Sequence, residues 1–180
     1  MCTNPKTTWE RCVEFHGHSC PGLAIGYRIA LAALDRLGMS SSKDEEIVCV
    51  TENDACGVDA VQVITGCTMG KGNLLYRDTG KQAFSFFNRR DQRRIRIVFN
   101  KQIKKDKDWN REQFQKYILE APKEEILSFC EPSFEPPQRA RMFNSIVCQQ
   151  CGESASEHKI RFNDGKKLCL DCFTDYSRGW

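Results

Sequence analysis

The residues best equipped for chemistry are His16, His18 and Cys20, held in the stretch His16-Gly17-His18-Ser19-Cys20-Pro21-Gly22. Two imidazoles and one thiol so close together offer nitrogen and sulfur donors, which suit zinc, iron, nickel or copper. Gly17 permits a sharp turn with positive φ, and Pro21 is at home as the first residue of a helix. The stretch therefore predicts a tight connection between two helices with Cys20 at the N-cap of the second. There the positive helix end favours a thiolate. The competing reading has His16 merely closing a helix and Cys20 packing as a small hydrophobe.

Two later cysteines bear on the same chemistry. The β-branched run 47–52 reads as a buried strand that delivers the chain to Asn53-Asp54-Ala55-Cys56-Gly57. A short helix follows, marked by Val58, Ala60, Val61 and Ile64 and ended by Gly66. Cys56 thus precedes a helix N-terminus, and Cys67 follows its C-terminus. A regular helix between them spans roughly 16 Å, too far for one ion to hold both within one chain. Cys67 then either completes a site across a subunit interface or only packs. The loop Gly66-Cys67-Thr68-Met69-Gly70-Lys71-Gly72-Asn73 superficially resembles a phosphate loop, but its spacing is short and Gly72 replaces the magnesium-holding Ser or Thr. It is either a plain turn or a nest of amides for an anion, with Lys71 as the anion's partner.

The most specific spacing lies near the C-terminus. Cys148-Gln149-Gln150-Cys151 and Cys169-Leu170-Asp171-Cys172 are two C-x2-C pairs with 17 residues between them, the arrangement of a structural zinc site. Four thiolates, from Cys148, Cys151, Cys169 and Cys172, close a tetrahedron with no open position. Asn163-Asp164-Gly165 predicts a hairpin turn between the pairs, and the tail from Leu170 to Arg178 predicts a short helix. So small a segment draws much of its folding energy from the metal. His158 has no place among four thiolates and reads as a surface residue.

The elements that must position these groups follow from patterning. Thr7 and Glu10 form a potential capping box for a first helix over 8–16, stopped by Gly17. A second helix runs from Pro21 to Leu37, with Leu23, Tyr27, Ala30, Leu31 and Leu34 as its buried stripe and Gly38 at its end. Its alanines and Gly26 predict close packing against another element. Trp9 and Tyr27 read as core. Leu74–Asp78, a turn at Thr79-Gly80-Lys81, and Gln82–Phe87 read as strand, turn, strand, and Arg94–Phe99 as a further strand. Such adjacent β segments predict an α+β fold with a mixed or antiparallel sheet covered by helices. Asp108 is positioned to cap a helix through Leu119, and Pro122 to start another over Lys123–Phe129. Cys2, Cys12, Cys49 and Cys130 lack partners at ligand spacing and read as packing residues. Glu131–Gln138 is proline-rich and predicts a boundary: a core domain over 1–130, a linker over 131–145 and a zinc module over 146–180.

Composition bounds the function. No apolar run approaches the ~20 residues that span a bilayer, and the first residues lack the apolar stretch of a secretion signal, so a cytoplasmic protein without membrane contact is expected. Eleven cysteines, an odd number, then point to metal ligands, reactive thiols or packing, not a disulfide framework. A net charge of +3 does not argue for nucleic acid by itself. Arg89–Lys107 holds nine basic residues against two aspartates. Alternation makes most of them the solvated face of a strand; a nucleic-acid or acidic-partner surface is the alternative.

The motifs His16–Gly22, Cys56–Gln62, Thr65–Leu74 and Gly80–Phe84 together resemble the FmdE family, named for a protein encoded with molybdenum formylmethanofuran dehydrogenase. The resemblance covers about residues 9–130, and a treble-clef-type zinc finger as in some members would match 146–178. It implies an α+β core, a homodimer, and a pocket lined by the His and Cys residues just named. It also implies company with a molybdenum or tungsten enzyme partner in formate-level C1 metabolism. Three functions follow. The first is a metal-binding accessory protein, in which His16, His18, Cys20 and Cys56, with or without Cys67, hold a second transition metal besides the structural zinc. The second is an enzyme on a small carbonyl or pterin-like ligand, using Cys20 and Cys56 as thiols and Lys71 as anion contact. The third is a regulator that binds nucleic acid through the zinc finger and basic strand.

Overall fold

The computed structural model describes residues 6–100 and 108–179. Two compact units divide between Ala140 and Arg141. Cys2 and the lysines at 101, 104, 105 and 107 lie outside the described residues.

Helix α1, Thr8–His16, begins in the expected capping box, with Thr7 accepting from Glu10 N and the Glu10 carboxylate accepting from Thr7 N, and ends on Gly17 at φ 87°. Helix α2, Pro21–Leu37, starts at Cys20 and ends on Gly38 at φ 60°. The Trp9 and Tyr27 rings meet edge-on at 5.2 Å between α1 and α2. Strand β1, Ile47–Thr51, is buried along its whole length. Helix α3, Gly57–Thr65, follows and returns the chain to β2, Leu74–Tyr76, which pairs parallel to β1.

β3, Ala83–Asn88, and β4, Arg94–Phe99, complete most of a mixed sheet of order β2-β1-β3-β4-β5. The α+β class and the mixed sheet are as expected. Pairing differs in detail: β2 and β3 are not a hairpin, because β1 lies between them. A strand apolar on both faces gains most as a central strand, and the 77–82 connection instead passes over the end of β1, with Arg77 N and Lys81 N donating to Thr51 O and Glu52 O.

Two helix expectations are corrected. Helix α4, Arg111–Glu120, is capped by Asn110 and not by Asp108. A capping box needs an acceptor three residues beyond the cap; Asn110 has Gln113 there, whereas Asp108 has Arg111. Helix α5 is one turn, Lys123–Ile126, and Leu127–Cys130 is strand β5 on the edge of the sheet beside β4. So short a helix cannot repay its nucleation cost, whereas the open edge of β4 offers a ladder of hydrogen bonds. Cys130 is consequently exposed and not a packing residue, while Cys12 and Cys49 are buried. The buried face of α2 is also broader than the expected stripe, because it packs against α3, α4 and the sheet; Leu31 instead faces outward, 39% exposed.

One sheet face carries the helices and the main core, with Phe84, Phe86, Ile97 and Leu23 fully buried. The second face holds Val48, Val50 and Phe87, covered by Leu75 and Phe134. The proline-rich stretch up to Ala140 runs against this first unit. Phe134 lies 5.7 Å from the Phe87 ring, Pro137 O accepts from Arg89, and Ala140 N donates to Glu45. Arg96 is not on a solvated face either. It grips the buried Glu52 carboxylate twice, at 2.6 and 3.1 Å, and Thr79 adds a third hydrogen bond.

The approach of α2 to α3 is closer than side chains permit. A Cβ on Gly26 would overlap the Gly57 backbone, and a Cβ on Gly57 would stand 3.1 Å from Gly22 O. Gly26→Ala is expected to destabilise the first unit by about 3 kcal/mol or more, since backbone must move to relieve the overlap; chemical denaturation measures this. The Arg96 guanidinium holds the Glu52 carboxyl below its ordinary value of 4.5. The stabilisation is therefore fully present above that value and is lost as pH falls through the lowered folded value. Glu52→Gln is expected to cost about 3 kcal/mol at neutral pH and to flatten this acid dependence, as read from denaturation midpoints against pH.

Candidate functional site: a His-Cys-Cys cluster and a four-cysteine finger

Three helix ends meet at one point. His16 is the last residue of α1, Cys20 is the N-cap of α2, and Cys56 is the residue before α3. Gly17 turns the chain between the first two. Gly22 admits the third, for a Cβ there would lie 3.2 Å from Cys56 Cβ. The ligand atoms of His16, Cys20 and Cys56 lie within 4.8 Å of one another.

Cys20 is buried, and its Sγ accepts a hydrogen bond from Leu23 N at 3.3 Å, the N-cap role its position predicts. His16 Nε2 stands 4.0 Å from that sulfur. Cys56 behaves differently from expectation. It has helical backbone angles and its side chain caps nothing, and burial, then the neighbouring Cys20, push its thiol above the ordinary value. The α3 terminus therefore does not activate Cys56 as a free thiolate. Sulfur pairs of this kind shed protons to a cation.

A residue missed in the sequence fixes the imidazole. Asp59 Oδ2 lies 2.7 Å from His16 Nδ1, and its other oxygen accepts from Gln62. A carboxylate on Nδ1 holds the proton there and leaves Nε2 as the lone-pair nitrogen on the sulfur side, the arrangement found behind metal-bound histidines. The available signal is an acidic residue three positions after Cys56, in the first turn of the same helix. Two sulfurs and one nitrogen suit a borderline or soft ion and would leave one position of a tetrahedron open.

The other expected site residues fall elsewhere. His18 is exposed, its ring centroid 4.5 Å from that of His16, and it is not one of the three gathered donors. Cys67 is fully buried; its thiol donates to Ile47 O at 3.4 Å, and burial pushes it up to about 11. Lys71 lies beyond the far end of α3, with Nζ 3.4 Å from Ser42 O and 3.5 Å from Lys43 O. The loop around it spends its amides internally: Thr68 N donates to the Asn73 side chain, Lys71 N to Thr68 Oγ1 and Gly72 N to Met69 O. It is a turn pinned by buried Asn73, not an anion nest.

In the second unit, hairpins β6, Ser145–Val147, with β7, Ser154–Ser156, and β8, Ile160–Asn163, with β9, Lys166–Cys169, present the four cysteines. Their sulfurs lie within 4.8 Å of one another. Asp164 and Gly165 both take positive φ, 47° and 76°, and close the β8–β9 hairpin as expected. Backbone N–H groups of Cys151, Cys169 and Gln150 lower Cys148 to about 6, a thiolate before any metal arrives. The expected tail helix is absent. One turn forms at Cys169–Phe173, and the residues beyond it, exposed and ending in Ser-Arg-Gly, have nothing to pack against. His158 is exposed, 4.1 Å from the Phe143 ring, and is not a ligand of the four-cysteine group.

Residues 15–133 match the family described as FmdE, molybdenum formylmethanofuran dehydrogenase operon. The chain belongs to the FmdE family. Residues 141–178 match the prokaryotic dksA/traR C4-type zinc finger. FmdE relatives include a probable S-adenosyl-L-methionine-binding protein of Archaeoglobus fulgidus, 34% identical across 96% of this chain. The chain spans 55% of that relative's length. A solved FmdE-like protein of tungsten formylmethanofuran dehydrogenase, from Syntrophus aciditrophicus, is 25% identical, covers 91% of each chain and superposes with a TM-score of 0.66. Among the described residues no helix is long and apolar enough to cross a membrane.

Chelation of zinc from the full chain is expected to unfold the second unit alone, because its small hairpins have little core beyond Leu168 and the four sulfurs. Limited proteolysis should then cut after Arg141 while peptides of the sheet persist.

Proposed function

We propose that this FmdE-family protein is a metal-binding accessory protein of molybdenum or tungsten formylmethanofuran dehydrogenase-type C1 metabolism, holding a transition-metal ion at His16, Cys20 and Cys56. The observation that carries the reading is the convergence of those three donors, with Asp59 behind the imidazole. His18, beside His16, is the side chain nearest at hand for the open fourth position. The names of the family and of the Syntrophus aciditrophicus protein support the metabolic setting, and the zinc finger adds a separate structural ion. Cys67 and Lys71 take no part in this reading, and the buried, raised Cys56 thiol favours metal ligation over a free nucleophile.

The test is metal stoichiometry of the anaerobically purified full chain. More than one metal per chain is expected, and His16→Ala with Cys56→Ala should remove one and leave the finger's zinc. A single zinc, unchanged by that double variant, overturns the proposal. Asp59→Asn should keep the fold yet weaken core-metal affinity roughly 10- to 100-fold, read by competition with a chelator. Recovery of a tagged chain from its host with a molybdopterin- or tungstopterin-containing dehydrogenase tests the partner.

A further inference from the structure

The first unit contains a cleft of about 930 Å³ that the proposed metal chemistry does not use. It opens beside the β3–β4 turn and the C-terminal end of α2, and five arginines line it: Arg36, Arg89, Arg93, Arg94 and Arg139. Arg36 lies sixteen residues along α2 from Cys20, which places the cleft roughly 24 Å from the His-Cys-Cys cluster.

The charges in the cleft are unequally answered. Arg94 pairs with Glu135 at 3.2 Å and Glu131 at 3.9 Å, the two carboxylates that line the cleft. Arg93 is held by Asp91. Arg89 lies 3.6 Å from Glu45, too long for a hydrogen bond, and donates to Pro137 O, but its buried Nε has no partner among the described residues. Arg36 rests over the Phe129 ring at 4.7 Å, and neither it nor Arg139 makes an ion pair among the described residues. Cations concentrated in a concavity with their own acids elsewhere raise the local concentration of anions.

The frame is also preorganised. The 89–93 turn is fixed by Asn88 N to Arg93 O, Gln92 N to Asn88 O and Arg90 N to the Asn88 side chain, with Gln92 at φ 61°. Guanidinium forks recognise phosphate oxygens in pairs. We propose that this cleft binds a small polyphosphorylated ligand, with Arg36, Arg139 and Arg89 as its phosphate contacts. The shape favours a compact ligand over nucleic acid: the cations face a cavity of ligand size, not a stripe, and carboxylates share the lining.

The experiment is calorimetric titration of the full chain with inorganic tripolyphosphate and, separately, adenosine triphosphate at low salt. Saturable binding at one ligand per chain is expected, weakened about tenfold or more by Arg36→Gln with Arg139→Gln. It should be unchanged by Lys166→Gln with Lys167→Gln, which removes equal charge from the second unit. Equal affinity for both probes identifies the polyphosphate chain as the ligand; tighter nucleotide binding identifies a nucleotide. Absence of saturable binding by either probe, or equal loss in both double variants, overturns the proposal. Retention of a duplex oligonucleotide that depends on Arg36 and Arg139, without tripolyphosphate binding, also overturns it and assigns the arginines to nucleic acid. Far-UV circular dichroism checks that the variants fold.

Discussion

The contact on which the rest of the first unit depends is backbone against backbone. Where α2 crosses α3, Gly22, Gly26 and Gly57 remove every side chain from the interface, and the helices approach until the main chains touch. This distance sets two things together. It brings the start of α3 against the start of α2, so that Cys56 reaches Cys20. It also fixes the slope of α3 as it returns the chain to β2, parallel to β1. Fold and donor cluster thus share one geometric origin, and neither can be loosened without the other.

Around that crossing, polar groups are held by identifiable partners. Arg28 donates to the carbonyls of Ile118, Leu119 and Ala121 and so ties the exposed end of α4 to α2. Asn73 pins the loop after α3 with three hydrogen bonds to the 44–47 segment and Thr68. Glu52 and Arg96 join the ends of β1 and β4 on the second sheet face. The His16–Asp59 pair belongs to this series but faces partly outward, with sulfur on its other side. It is the place where a tie between elements is left chemically available.

Much of this is legible in the residues. Caps announce α1 and α2, because the Thr7–Glu10 box and the glycines at 17 and 38 act through local geometry alone. The C-x2-C spacing announces the finger for the same reason. His16 and Cys20 are readable as neighbours because one turn separates them. Local patterning misleads where distant strands compete for edges. Leu127–Cys130 looks helical until the free side of β4 is known, and β2 looks like half of a hairpin until β1 is seen between. Asp59 is invisible as a partner of His16 because 43 positions separate them and only the glycine crossing joins them. The arginines at 89–94 look like a solvated surface, since nothing local shows that they enclose a cleft.

The two rims of the sheet have a bearing on solubility. At one rim β2 is only three residues long. At the other, β5 stops at Cys130 and is followed by Glu131 and Pro132, with a further pair of prolines at 136 and 137. A foreign strand approaching either rim finds too few free donors, or a charge and rings that cannot donate, to extend the ladder. The sheet is thus terminated on both sides, and the chain can keep an apolar five-stranded core without templating its own aggregation.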